Sequence, residues 1–381
     1  MKIACISTAE IPSTKANSIQ VMKVCQALVQ IGESVQLYIP AGNSATWEEL
    51  AAAYGLTERF PIVRLASRPF FKRLDFTLAS LAQARREKVN LIYTRMLWAA
   101  FLARLRGLPA ILELHDLPSG HFAPMIYRYY LRMKKPKLTV YITTSLKRLA
   151  DERFGVQARE GEFLISPDGV DLARYIDLPE PRQARKALNL AEMITAVYSG
   201  GFYAGRGLDM LQQLAIAFPQ VQFLWIGGSE QQVSAWSERL TGSGVKNVIL
   251  TGFIFNNQLP LYQATADVLL MPYSLKFGGS GGGDIAQVSS PLKLFEYMAA
   301  GRCILASDLP VLREILNEKN ACFFQPEDFN DLCERFSTLI ANSGLRKKLG
   351  AAAREDVKAY EWKTRMARIL NAVSSLVKKM E

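Results

Sequence analysis

The sequence predicts an α/β protein of two Rossmann-like, doubly wound domains in tandem, facing each other across a cleft. Short apolar, strand-like runs alternate with helical stretches along the first half of the chain, and the alternation starts again in the second half. Between the halves, the prolines and charges of LPEPRQARKALNL (178–190) break the pattern. Strands that alternate with helices of about 10–15 residues imply parallel βαβ units in an open sheet. The length of 381 residues agrees, since a single core stops growing beyond about 250–300 residues.

Element by element, KIACIST (2–8) reads as a buried strand, followed by a polar loop (9–18) and the helix IQVMKVCQALVQIG (19–32). The strands SVQLYIP (34–40), PIVRLAS (61–67), LIYTR (91–95), AILELHD (110–116) and TVYITTS (139–145) follow, separated by helices such as DFTLASLAQARREK (75–88) and WAAFLARLRG (98–107). In the second half the strands are ITAVYSGG (194–201), VQFLWIGG (221–228), NVILTGF (247–253), DVLLMPY (267–273), CILASD (303–308) and ACFFQ (321–325). The expected domains are therefore 1–180 and 181–381. The last segment, 344–381, reads as one long or broken helical stretch able to pack back on the first domain.

Composition narrows the class. Hydrophobic content of 49% and charged content of 21% describe a globular chain, not a disordered one. No apolar run approaches the roughly 18–20 residues that span a bilayer, and MKIACISTAE lacks the apolar segment of a signal peptide. The expectation is a cytoplasmic protein, peripheral at most on the inner face of the plasma membrane. Five cysteines without a CxxC pair read as small buried hydrophobes, and with only two histidines no metal site is expected. The net charge of +11 is uneven: residues 59–137 hold 16 basic residues against 4 acidic ones. Such a face suits an anionic membrane surface or is simply solvated. Nucleic acid is not expected as a partner, because no binding motif accompanies the charge.

Three places could carry chemistry, each where a strand ends and a helix N-terminus points, the position at which open parallel sheets bind ligands. The first is YSGGFYAGRG (198–207), where Gly200 and Gly201 permit close backbone approach and Arg206 stands beside a helix N-terminus, a combination that suits phosphate. The second is the glycine-rich loop ending at Asp284 together with SSPLK (289–293). Ser289 or Ser290 is expected to cap the next helix, with Pro291 at or near its first turn. Lys293 is the anomaly, because a cation near a helix N-terminus opposes the macrodipole unless an anion binds there. Glu296, one turn on, is either solvated or able to accept hydrogen bonds from a polyol. The third is ELHDLPSG (113–120), which puts His115 at the carboxyl end of a strand.

These residues make the sequence resemble glycosyltransferase family 4, the retaining, metal-independent enzymes of GT-B architecture that use nucleotide-sugar donors. The resemblance covers nearly the whole chain. It is most specific in SPLKLFEYMAAGRCILASDLPVLREIL (290–316), and extends through YSGGFYAGRGLDML, QATADVLLMPY, YITTSLKRLADERFG, SPDGVDLARY and YEWKTRMARIL. It implies that the first domain binds the acceptor and the second the nucleotide sugar. Arg206 falls on the donor diphosphate, with Gly200 and Gly201 in the phosphate turn. The backbone around Ser290, Pro291 and Leu292, with Lys293 nearby, cradles the same group. Glu296 falls on the ribose hydroxyls and His115 near the donor sugar and reaction centre. The loop STKANSIQ (13–20) approaches the donor phosphates or the acceptor. No cofactor is implied beyond the donor itself.

Two positions depart from the family pattern. Val288 stands where a glutamate ordinarily meets the transferred sugar, and Gly201 where an arginine ordinarily meets phosphate; Asp284 or Lys293 is expected to compensate. The function so implied is transfer of a sugar to a hydroxyl on a glycan or lipid-linked acceptor, in cell-envelope, polysaccharide or glycolipid synthesis. A nucleotide-sugar epimerase and a non-catalytic nucleotide-sugar-binding relative share the architecture. An NAD-dependent oxidoreductase is disfavoured, because no complete GxGxxG follows the first strand.

Overall fold

The computed structural model describes residues 1–68, 73–134, 136–278 and 285–378, the last two by backbone alone. The chain divides into two compact units. One comprises Met1–Gly169, Val288–Ser290 and the segment from Trp362 onward; the other comprises Val170–Gln287 and Pro291–Glu361.

The first unit holds seven parallel strands: β1 (Lys2–Ile6), β2 (Ser34–Pro40), β3 (Ile62–Leu65), β4 (Leu91–Thr94), β5 (Ala110–Leu114), β6 (Lys137–Tyr141) and β7 (Phe163–Ile165). Their order is β3-β2-β1-β4-β5-β6-β7, so the winding reverses between β1 and β4. Buried on both faces, β1, β4, β5 and β6 read as nearly unbroken apolar runs, as a helix-covered parallel sheet requires. Strand β7 has no counterpart among the sequence expectations. It is three residues long and half-buried at the sheet edge, too short to show a pattern.

The second unit repeats the design with β8 (Thr195–Ser199), β9 (Gln222–Ile226), β10 (Val248–Gly252), β11 (Val268–Met271), β12 (Cys303–Ser307) and β13 (Cys322–Phe324), in the order β10-β9-β8-β11-β12-β13. Here the winding reverses between β8 and β11. Both faces of the sheet are filled: Trp225, Phe223 and Phe336 pack on one side, Phe295, Tyr297 and Met298 on the other. The expected six strands are all present, and the fold is two Rossmann-like parallel sheets flanked by helices.

The C-terminal stretch is broken. A helix at Ser343–Asp356 passes through a 3₁₀ turn at Val357–Tyr360 into the last helix, Trp362–Lys378. That last helix buries Trp362, Met366, Ile369 and Val373 within the first unit, beside the helix Ala16–Gln30. All five cysteines are free; Cys5, Cys25 and Cys303 are buried in strand or helix interiors, in keeping with their reading as small hydrophobes. Among the described residues no helix is long and apolar enough to cross a membrane.

Candidate functional site

In the second unit the candidate residues gather at the carboxyl end of β8, beside the reversal point where α/β sheets bind ligands. The strand ends at Ser199 and turns through Gly200, whose φ of 142° is a conformation that favours glycine. A Cβ on Gly200 would lie 3.1 Å from Lys293 Nζ, so the ammonium reaches directly under this turn. The turn closes on Gly207 (φ 80°), which caps the helix Leu208–Ala217 where a Cβ would stand 1.8 Å from the Pro272 carbonyl oxygen.

Lys293 sits in the first turn of the helix Leu292–Ala300. Its Nζ lies 3.9 Å from the Tyr198 ring centroid and 4.9 Å from that of Tyr273. It is buried, with no hydrogen-bond acceptor among the described residues. Burial, reinforced by the charge of Arg206 and only partly opposed by Glu296, holds its pKa well below the ordinary lysine value. Arg206 stacks on Tyr273 and Phe277, 4.8 Å from each centroid, and donates to the Gly278 carbonyl at 3.0 Å. Lys293 and Arg206 thus share one aromatic-walled corner, where among the described residues neither is hydrogen-bonded to a carboxylate.

The expected serine cap is corrected. Pro291 is itself the N-cap residue and no side chain caps this helix. Ser289 is buried, and Ser290 Oγ is occupied elsewhere: grouped with the first unit, it accepts from the Asp168 N–H at 3.1 Å. The helix N-terminus at Leu292 is therefore left without a side-chain acceptor. Glu296, half-buried one turn on, accepts from Asn256 Nδ2 at 3.5 Å, and among the described residues the buried Asn256 Oδ1 has no partner. At Gly201 a Cβ would collide with the Tyr203 ring at 2.2 Å, so that ring occupies the space a longer side chain would need. Asp284 lies outside the described residues.

In the first unit, His115 follows β5 and is joined to a buried ionic cluster. Glu113 on β5 is fully buried; its Oε1 takes hydrogen bonds from Gln20 Nε2 and His115 Nε2, each at 2.5 Å, and its Oε2 takes one from Arg365 at 2.8 Å and another from the Tyr93 hydroxyl. Burial alone would raise the pKa of Glu113; Arg365, His115 and Tyr93 reverse this and hold it far below the usual carboxylate range. His115 is pushed down by burial and then by Arg95, against the pull of Asp168 and Glu113. Asp168, raised by burial, places Oδ2 4.0 Å from His115 Nδ1. Glu113, His115 and Asp168 form a trio with metal-ligand spacing among the described residues. Arg365 forms an ion pair with Glu113, and half-buried Arg95 also acts on the trio.

Sequence reasoning picked out His115 but not Glu113, Arg365, Tyr93 or Asp168. The signal was present for Glu113, a carboxylate in the middle of an apolar strand, which a buried site tolerates only when paired. Val288, where the family pattern has glutamate, is a buried apolar residue whose carbonyl accepts from Thr143 Oγ at 3.2 Å.

Comparison with known proteins identifies the family and the fold. Residues 18–174 match the family model described as Glycosyltransferase Family 4, and residues 195–342 that described as Glycosyl transferases group 1. A phosphatidyl-myo-inositol mannosyltransferase of Mycolicibacterium smegmatis is 25% identical over 70% of this chain and 65% of its own length. The sulfoquinovosyl transferase SQD2 of Arabidopsis thaliana is 22% identical over 80% of this chain and 61% of its own. The alignments thus span less than two thirds of these two relatives. Among solved structures, sucrose-phosphate synthase from Thermosynechococcus elongatus superposes with a TM-score of 0.77 at 20% identity, covering 99% of both chains. Anabaena HepE in complex with UDP gives 0.75 at 17%, covering 98% of this chain and 100% of its own. With one family model on each Rossmann-like unit and the same GT-B fold in its structural neighbours, the chain belongs to glycosyltransferase family 4.

Proposed function

We propose that the protein transfers a sugar from a nucleoside-diphosphate donor to a hydroxyl of a glycan or lipid-linked acceptor, with retention of configuration, in glycolipid or polysaccharide synthesis. The observation that carries this reading is Lys293: a buried side-chain nitrogen without an acceptor among the described residues, under the Gly200 turn, beside Arg206 and at an uncapped helix N-terminus. An isolated buried cation is costly, and a bound diphosphate supplies the missing counter-charge. The role then follows. As the glycosyl–phosphate bond loosens, negative charge accumulates on the leaving diphosphate, and Lys293, Arg206 and the backbone N–H groups of the helix are already in place to stabilise it. These groups supply the charge that a metal supplies elsewhere. Glu296 takes the ribose hydroxyls, and His115 serves the donor sugar. The leaving phosphate takes the acceptor proton, so no protein nucleophile is required.

A thermal-shift series with UDP, GDP, ADP, CMP and dTDP tests the donor site. At a ligand concentration of 100 Kd, one of these should stabilise the fold by about 2.7 kcal/mol, and Lys293→Met should abolish the shift. No shift with any of the five would overturn the reading. Val288 favours a second reading, a nucleotide-sugar-binding relative without transfer, because the carboxylate ordinarily facing the sugar is replaced by buried valine. Donor turnover separates the readings: transfer requires acceptor, an epimerase converts donor alone, and a binding protein does neither.

The membrane reading rests on three neighbouring helices of the first unit, Leu74–Arg86, Leu97–Leu105 and Ala123–Arg132. Their exposed residues include Leu78, Leu105, Met125 and Tyr129, interleaved with exposed Arg85, Arg86, Arg128 and Arg132. Apolar side chains among cations suit an anionic lipid surface.

A further inference from the structure

The cluster behind His115 has a direction. Four donors converge on Glu113, from Gln20, Tyr93, His115 and Arg365. A carboxylate matches them, with about four lone-pair positions and no N–H of its own. Glutamine in its place would have one oxygen and would turn an N–H toward donors, leaving buried groups unpaired. The Glu113 and Arg365 side chains are 0% and 1% exposed, whereas that of His115 is 14% exposed, so only the imidazole end reaches the surface.

Arg365 is fixed in turn. It donates to the Pro167 carbonyl at 2.6 Å and the Ser166 carbonyl at 3.0 Å, which anchors the last helix to the loop after β7. The charged groups acting on the imidazole are Glu113 on β5, Arg95 after β4 and Asp168 after β7. Asp168 Oδ2, 4.0 Å from Nδ1, is beyond hydrogen-bond distance. The ring nitrogen with an acceptor within reach is Nε2, and a neutral imidazole carries its proton on the nitrogen that has the acceptor.

We propose that Glu113, braced by Arg365 on the last helix, is a positioning residue that fixes His115 as the Nε2–H tautomer and leaves Nδ1 as a hydrogen-bond acceptor. The ligand group received at Nδ1 is then a hydroxyl or another hydrogen donor, not an anion. The consequence for transfer rests on the reading of His115 given above; the tautomer does not.

The test uses the full chain with selectively ¹⁵N-labelled histidine. The chain has only two histidines, and His121→Asn, an exposed position, leaves one imidazole to observe. Long-range ¹H–¹⁵N correlations should show a single neutral Nε2–H pattern for His115 around neutral pH. An Nδ1–H pattern, an averaged pattern or an imidazolium would overturn the proposal. In Glu113→Gln the pattern should become averaged, and kcat should fall about 10- to 100-fold, the scale seen when the partner that orients a metal-bound histidine is lost, with the donor KM little changed. Unchanged kcat and an unchanged pattern would also overturn it. If Glu113→Gln does not fold, the wild-type spectrum decides by itself. The expected tautomer in a protein that transfers sugar to no acceptor would support the positioning role and count against the transferase reading alone.

Discussion

Arg206 and Lys293 do different work in the same corner. The flat guanidinium of Arg206 lies over the adjoining Tyr273 and Phe277 rings and spends one N–H on the Gly278 carbonyl, which fixes its orientation. Arg206→Ala should lower kcat about 10²- to 10³-fold, the cost of removing one preorganised donor, with an unchanged circular dichroism spectrum; near-normal turnover would refute the assignment. Lys293 is instead a proton-linked site. Its pKa in the free protein lies well below the ordinary lysine value, chiefly through burial, so the unfolded chain binds that proton more readily. The group therefore costs stability as pH falls through its folded pKa, and stability recovers above it. If a diphosphate binds beside Lys293 as proposed, its charge should raise that pKa, so binding should be linked to proton uptake and weaken as pH rises. Calorimetric titration with UDP in two buffers of different ionisation enthalpy measures that uptake, which Lys293→Met should abolish. Lys293 was legible in sequence because its charge contradicts the helix macrodipole. The neighbouring serine cap was misread because Ser290 Oγ serves Asp168, a partner more than a hundred positions away that no local rule contains.

At the scale of elements, the strands were legible wherever burial on both faces produced an apolar run, as in β5 and β12. One edge strand was missed, β7, which is three residues long and half-buried, whereas the partly buried edge strands β3, β10 and β13 were all expected. Helix ends proved less readable than strand cores. The first helix begins at Ala16, three residues before its apolar pattern, and no side chain caps it. Turn glycines can be ranked by what surrounds them. Gly32 and Gly207 both have positive φ, of 88° and 80°, but a Cβ meets nothing within 4 Å at Gly32 and backbone at Gly207. Gly32→Ala should cost about 1 kcal/mol, from backbone strain alone. Gly207→Ala should cost roughly 3 kcal/mol or more, since the turn after β8 must shift as well. Urea denaturation of both variants checks the ranking, and equal losses would show that the turn is not tightly packed against Pro272.

For the whole molecule, the uneven charge becomes a testable address. Exposed cations on the three neighbouring helices of the first unit should each contribute about 1 kcal/mol near an anionic bilayer. Co-sedimentation should therefore be strong with vesicles rich in phosphatidylserine, weak with phosphatidylcholine, and reduced by salt. Replacing Arg128 and Arg132 with serine should weaken it without changing nucleotide binding, and equal binding to both lipids would exclude the electrostatic address. The two-sheet architecture was readable from alternation alone, but the buried Glu113–Arg365 pair was not, because its partners lie at opposite ends of the chain.

That separation also sets an order of events during synthesis. The first unit is assembled from pieces that bracket the second: residues up to Gly169, then Val288–Ser290, then the segment from Trp362. As the chain emerges from the ribosome, Glu113 is made long before Arg365, and until then the arginine that forms its ion pair is missing. The second unit, which ends at Glu361, has all of its residues before the first receives its last helix. The domain translated first is the one completed last.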